Sequence, residues 1–106
     1  MSRYAAAKPY VLPTALAELV GPTTGTATLP HHLDWGPHYV YDLFDEADVL
    51  LLYERVIREA QTSADLSTYL NAATLRSSWR DLYLPKPVRA AWEAQFPELG
   101  TTAAAA

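Results

Sequence analysis

Residues 45–60 read DEADVLLLYERVIREA, and their period decides the fold class. Val49, Leu52, Tyr53, Val56, Ile57 and Ala60 recur at steps of three and four, forming one apolar stripe, while Glu54, Arg55, Arg58 and Glu59 take the remaining face. Asp45 is a competent N-cap, because its carboxylate can accept from the free N–H groups of the first turn. Asp48, three residues on, stands where a capping box has its second acid, and an acidic first turn suits the positive end of the helix dipole. A helix of about 15 residues is marginal alone in water, so the stripe predicts further elements that cover it.

Working outward toward the C-terminus, the pattern stays helical. Thr62 or Ser63 can cap a helix over 64–70 that presents Leu66, Tyr69 and Leu70 on one side. Asn71 is the next cap, for a helix over 72–82 with Leu75, Trp79 and Leu82 at buried spacing and Arg76 and Arg80 opposite. Pro85 and Pro87 interrupt the chain, and Pro87 falls in the first turn of a last helix carrying Val88, Ala91, Trp92 and Gln95 or Phe96. Arg89 and Glu93 form an i, i+4 pair expected on its outer face, and Pro97 ends it. The tail from Gly100 is low in complexity.

Toward the N-terminus the chain is punctuated by Pro9, Pro13, Pro22 and Pro30, with Gly21, Gly25 and Gly36 between them, which allows only short elements. A brief helix over 14–20 would be stopped by Gly21 and Pro22. Residues 23–29 and 38–44 are candidate strands. In the second, Tyr39, Tyr41 and Leu43 alternate with Val40, Asp42 and Phe44, and the two pieces can pair as a hairpin if something packs on it. The expected organisation is mostly α. About four short helices follow residue 45, in a module over 45–99, after an extended, Pro/Gly-punctuated arm over 1–44 and before a flexible tail over 100–106.

Composition limits function more than it specifies it. A chain of 106 residues supports one core at most, and half its residues are apolar. The absence of cysteine excludes disulfides and thiolate metal sites. The formal charge is −4, with eight acids against four bases in residues 1–60 and four of each in 61–106. That balance argues against unaided binding to a phosphate backbone and favours a basic partner surface. The longest apolar run, residues 49–53, is far too short to span a bilayer, and MSRYAAAKPYVLP lacks the apolar core of a secretory signal, so a cytoplasmic location is expected.

Catalytic readings are thin. His31, His32, Asp34 and His38 gather potential metal ligands in HHLDWGPH but lack the spacing of a zinc motif, and turn or interface histidines explain them better. Ser77 or Ser78 with His31 and Asp34 makes a triad on paper only, since no nucleophile elbow surrounds either serine. With no glycine-rich phosphate loop either, neither enzymatic activity nor a cofactor is expected. Arg76, Arg80, Lys86 and Arg89 form a modest basic set that reads as a solvated face. The acids Asp42, Asp45, Glu46 and Asp48 read as a solvated helix start that is also able to dock on a basic surface. Tyr53, Tyr69, Trp79, Trp92 and Phe96 lie at core spacings. Tyr4, Tyr10, Trp35, Tyr39, Tyr41 and Phe44 lie outside the helices, where large aromatics serve as interface anchors or fold back as a lid. The candidate partner-binding set is therefore Trp35, Tyr39, Tyr41, Asp42, Phe44, Asp45, Glu46 and Asp48.

The order of segments LPTALAELVGPTTGTATLP, LDW, YDLFDEADVLLLYERVIREAQTSADLSTYLN and LRSSWRDLYLPKPVRAAWEAQFPEL resembles small actinobacterial proteins encoded beside nucleotidyltransferase toxins of the AbiEii type. The resemblance runs over residues 3–99, and its more specific pieces are the LYERVIREA helix, the YLN turn and the segment from Trp79 to Leu99. It implies an antitoxin that binds and inhibits a cognate nucleotidyltransferase acting on RNA, with nucleotide and metal belonging to that partner. The alternative is a small DNA-binding autoregulator using the helices over 64–82, with Arg76 and Arg80 facing phosphates, although the turn at Asn71 lacks the usual glycine.

Overall fold

The structure, a computed structural model, describes residues 10–37 and 39–100. It is mostly α, with four helices of seven residues or more and one two-stranded sheet. Helix α1 spans Glu46–Glu59, α2 Ser63–Tyr69, α3 Ala72–Ser78 and α4 Lys86–Gln95, and 3-10 turns occupy Leu16–Glu18 and Trp79–Asp81. The helix expected over 72–82 is thus an α-helix that tightens into a 3-10 turn, and Leu75, Trp79 and Leu82 are buried as their spacing requires. Tyr4 and the tail beyond Gly100 lie outside the described residues.

The caps explain the boundaries. Asp45 accepts from the Ala47 N–H at 3.1 Å and starts α1. Thr62 and Asp65 form the reciprocal capping box of α2, and the side chain of Asn71 accepts from Ala73 and Thr74 to start α3. Asp48 does not complete a capping box on α1. Its carboxylate accepts instead from the Asp42 N–H at 2.9 Å and the Tyr39 hydroxyl at 2.8 Å.

The two candidate strands do pair. Strand β1, Thr26–Thr28, lies antiparallel to β2, Val40–Asp42, with Ala27 opposite Tyr41. The chain enters β1 through Gly25, whose φ of +84° favours glycine, and whose carbonyl accepts from the Leu43 N–H at 2.9 Å. Alternation sends Tyr41 and Leu43 inward and leaves Val40, Asp42 and Phe44 exposed.

The largest departure from the sequence reading is the arm. Leu16, Leu19, Leu29, Leu33, Tyr41 and Leu43 belong to the same buried cluster as the helices, so residues 10–44 complete the core. The reason is a set of backbone bonds across some 50 positions of sequence: Val20 donates to the Ser67 carbonyl, Gly21 to Leu70, and Ala72 to Leu19. Val20 and Asn71 form an isolated antiparallel bridge there. Asn71 unites three segments, since its N–H donates to the Tyr53 hydroxyl at 2.9 Å and its side-chain amide to the Gly21 carbonyl at 3.3 Å.

Under α4 the aromatics pack in sequence. The rings of Trp79 and Trp92 are 6.0 Å apart and those of Trp92 and Phe96 5.9 Å. Each such contact contributes about 0.5–1.5 kcal/mol beyond area burial. Glu93 accepts from the Trp79 indole N–H at 2.9 Å, while Arg89 lies over the Trp79 ring and donates to the carbonyls of Trp79 and Leu82. Arg89 and Glu93 therefore seam α4 to the preceding turn, which corrects the expectation of a solvated outer pair.

A candidate binding groove beside the hairpin

Two local patterns meet to form a groove. On α1 the faces divide by period: Leu52, Tyr53, Val56 and Ile57 enter the core, and Leu51, Glu54, Arg55 and Arg58 are left on the opposite side. Residues 34–37 and Tyr39 lie against that side, and Tyr41, inward on β2, holds them by donating its hydroxyl to Oδ2 of Asp34 at 3.0 Å. Between loop and helix lies a groove of about 410 Å³, lined by Trp35, Gly36, Pro37 and Tyr39 on one wall and the α1 residues on the other. That volume is within the range typical of ligand and side-chain pockets.

Its walls are fixed. The ring of Tyr39 meets Tyr41 edge-on at 4.7 Å, and its hydroxyl is held by Asp48, which is only 8 % exposed. The hydrogen bond to Asp48, with burial and the nearby carboxylates, raises the pKa of Tyr39. Burial raises that of Tyr41, as do the hydrogen bond to Asp34 and its charge, while Arg55 pulls in the opposite direction. Both phenols therefore stay protonated and remain donors.

The rim is apolar and open. Trp35 is 74 % exposed, Leu51 53 % and Tyr39 46 %, and on the adjoining outer face of the hairpin Phe44 is 75 % exposed. A large apolar side chain left in water on a well-packed scaffold is the usual mark of an interaction surface when several are contiguous. Asp42, Asp45 and Glu46 are exposed around Phe44.

The eight residues singled out from the sequence fall into three groups, with Tyr41 in two of them because it lines the groove and is also buried. Trp35, Tyr39 and Tyr41 line the groove. Asp42, Phe44, Asp45 and Glu46 make an adjoining acidic face with an aromatic centre. Asp48 and Tyr41 are buried, so their role is to hold the walls, and the reading of them as exposed contacts is corrected. Sequence reasoning missed Leu51, Arg55 and Arg58 as groove residues. The signal was Leu51 itself, an apolar residue within VLLLY that falls off the buried stripe.

The other candidate constellations are dispersed. Asp34 is engaged by Tyr41, and His32 Nε2 lies 2.9 Å from Oδ1 of Asp65. His38 lies outside the described residues. Among the described residues no group of three His, Cys, Asp or Glu side chains is placed to hold a metal. Arg76 is paired with Glu98 at 2.8 Å. Among the described residues no helix is long and apolar enough to cross a membrane. Comparison with protein-family models, curated proteins and solved structures gives no match to this chain.

Proposed function

We propose that this protein is an antitoxin: it binds a cognate nucleotidyltransferase toxin that acts on RNA, and inhibits it by occupying its surface. The observation that carries the reading is the contiguous exposure of Trp35, Tyr39 and Leu51 on a groove whose walls are fixed by hydrogen bonds. Rigid, exposed aromatics make efficient anchors because little side-chain entropy is lost when a partner covers them. The adjoining acids Asp42, Asp45 and Glu46 supply charge complementary to the basic surface that an enzyme of RNA presents to its substrate. On this reading the protein itself is not an enzyme, works in the cytoplasm, and leaves nucleotide and metal to its partner.

The DNA-binding alternative draws less support from the geometry, because of its two arginines Arg76 is paired with Glu98, which leaves Arg80 as the exposed cation on that face. The test is coexpression with the product of the neighbouring gene. Copurification as a stable pair, with growth restored relative to that neighbour alone, supports the antitoxin. Separate elution without rescue overturns it.

A further inference from the structure

The groove carries a chemical preference of its own. Arg55 and Arg58, one turn apart on α1, are both half-buried and both line it. Neither makes an ion pair among the described residues, whereas Arg76 and Arg89 do. Among the described residues Arg58 uses only its Nε, on the Glu54 carbonyl at 3.3 Å, and its terminal amino groups make no hydrogen bond. One oxygen of each groove carboxylate is already engaged: Oδ2 of Asp34 accepts from Tyr41, and Oε2 of Glu54 accepts from the Tyr83 N–H at 2.8 Å. The donor capacity of the groove is concentrated on its two guanidinium groups, of which Arg55 also interacts with the Tyr41 hydroxyl and Arg58 makes only the Nε bond. A partly desolvated guanidinium without an anion is a costly arrangement unless a ligand supplies one.

We infer that the groove receives an acidic side chain of the protein partner, held by Arg55 and Arg58, with a neighbouring apolar side chain against Trp35, Tyr39 and Leu51. The inference rests on the proposed function, because it names the chemistry of the segment the partner inserts. A single carboxylate suits the site better than a polyphosphate. Two acids share the lining with the two arginines, the chain has a net charge of −4, and a multiply charged anion meets repulsion from both. A carboxylate can accept two parallel bonds from one guanidinium and leaves the second to balance the lining acids. Opposite polarities also fix orientation: the hairpin acids face a basic region of the partner while the groove takes an acidic residue beside it.

The test has two arms. In the first, the 15N-labelled full chain is titrated with capped pentapeptides that carry a central glutamate flanked by leucine or phenylalanine, with their glutamine twins, with ATP and with inorganic phosphate. The glutamate peptides are expected to shift the Trp35 indole and the Arg55 and Arg58 Nε–H signals, and the glutamine twins to bind about tenfold more weakly, the scale of a hydrogen bond to a charged group. Equal binding of both twins, no groove shifts, or larger shifts with ATP or phosphate would overturn the inference. In the second arm, R55Q/R58Q is compared with the wild type in the copurified complex, after its melting curve confirms folding. At least about a tenfold loss of affinity is expected. An intact complex with unchanged affinity overturns the acidic-segment inference while the antitoxin reading stands. If the wild type forms no complex, the antitoxin reading fails, and the peptide arm still decides what the groove binds.

Discussion

The hydroxyl of Tyr39 donates to Oδ1 of Asp48 across 2.8 Å, while Oδ2 of the same carboxylate accepts from the Asp42 N–H at 2.9 Å. One buried acid in the first turn of α1 thereby fixes both the wall of the groove and the end of strand β2. Asp48→Ala leaves these two donors without a partner and is expected to cost about 1–3 kcal/mol of stability. Denaturant unfolding measures the loss, and hydrogen exchange should quicken at Asp42 ahead of the α1 interior.

Alkaline pH should loosen the same region. Tyr39 is raised mainly by its bond to Asp48, Tyr41 mainly by burial and its bond to Asp34, and Tyr53 by burial against the opposing effects of Asn71 and Thr74. A folded-state pKa above the unfolded value means stabilisation that is complete below the ordinary phenol value of 10.0 and lost as pH rises through the folded values. Melting temperature should therefore fall above pH 10.0, and Tyr39→Phe should flatten part of that fall.

At the acid end the relevant group is Asp65. Burial pushes its pKa up, but the Gln61 N–H, the His32 ring and the Thr62 N–H outweigh that and hold it below its ordinary 3.8. The stabilisation is present above 3.8 and lost as pH falls through the lowered value. Asp65→Asn should remove that part of the acid unfolding curve and, by weakening the capping box of α2, lower stability at neutral pH.

The junction of the N-terminal segment with α2 and α3 predicts two sensitive positions. A Cβ added at Gly21 would lie 2.6 Å from the Tyr69 carbonyl carbon and 2.9 Å from the Leu70 nitrogen, both backbone atoms. Gly21→Ala must therefore displace the chain, at about 1–3 kcal/mol. Asn71→Ala removes the α3 cap and the bond to Gly21, with a loss of similar size, about 1–3 kcal/mol. Thermal melts of the two variants check both, and the double variant should lose less than the sum because the residues share a contact.

The helices were legible because their signals are local. The stripe from Leu52 to Ile57, the caps Asp45, Thr62 and Asn71, and the alternation about Tyr41 each act within a few residues. The packing of Leu16 and Leu19 was not legible, because backbone bonds between residues 19–21 and 67–72 join them to the core and carry no side-chain signature. Asp48 misled for a related reason. Its position promised a cap, but two donors from the hairpin compete for the carboxylate and win. Of the groove, the aromatic wall is legible as large aromatics outside the helices, while Arg55 and Arg58 show in the sequence only as the face opposite the apolar stripe. Only the fold brings Arg55 and Arg58 opposite Trp35.

Inhibition by this protein depends, in the antitoxin reading, on the exposed aromatic rim being where the partner binds. The most direct measurement is the affinity of Trp35→Ala for the copurified neighbour-encoded partner, by calorimetric titration, beside the melting temperatures of both chains. Removal of a central aromatic anchor should weaken binding by about 2–4 kcal/mol. Because Trp35 is 74 % exposed, its melting temperature should stay close to that of the wild type. An unchanged affinity in a folded Trp35→Ala protein would contradict the groove as the site of inhibition.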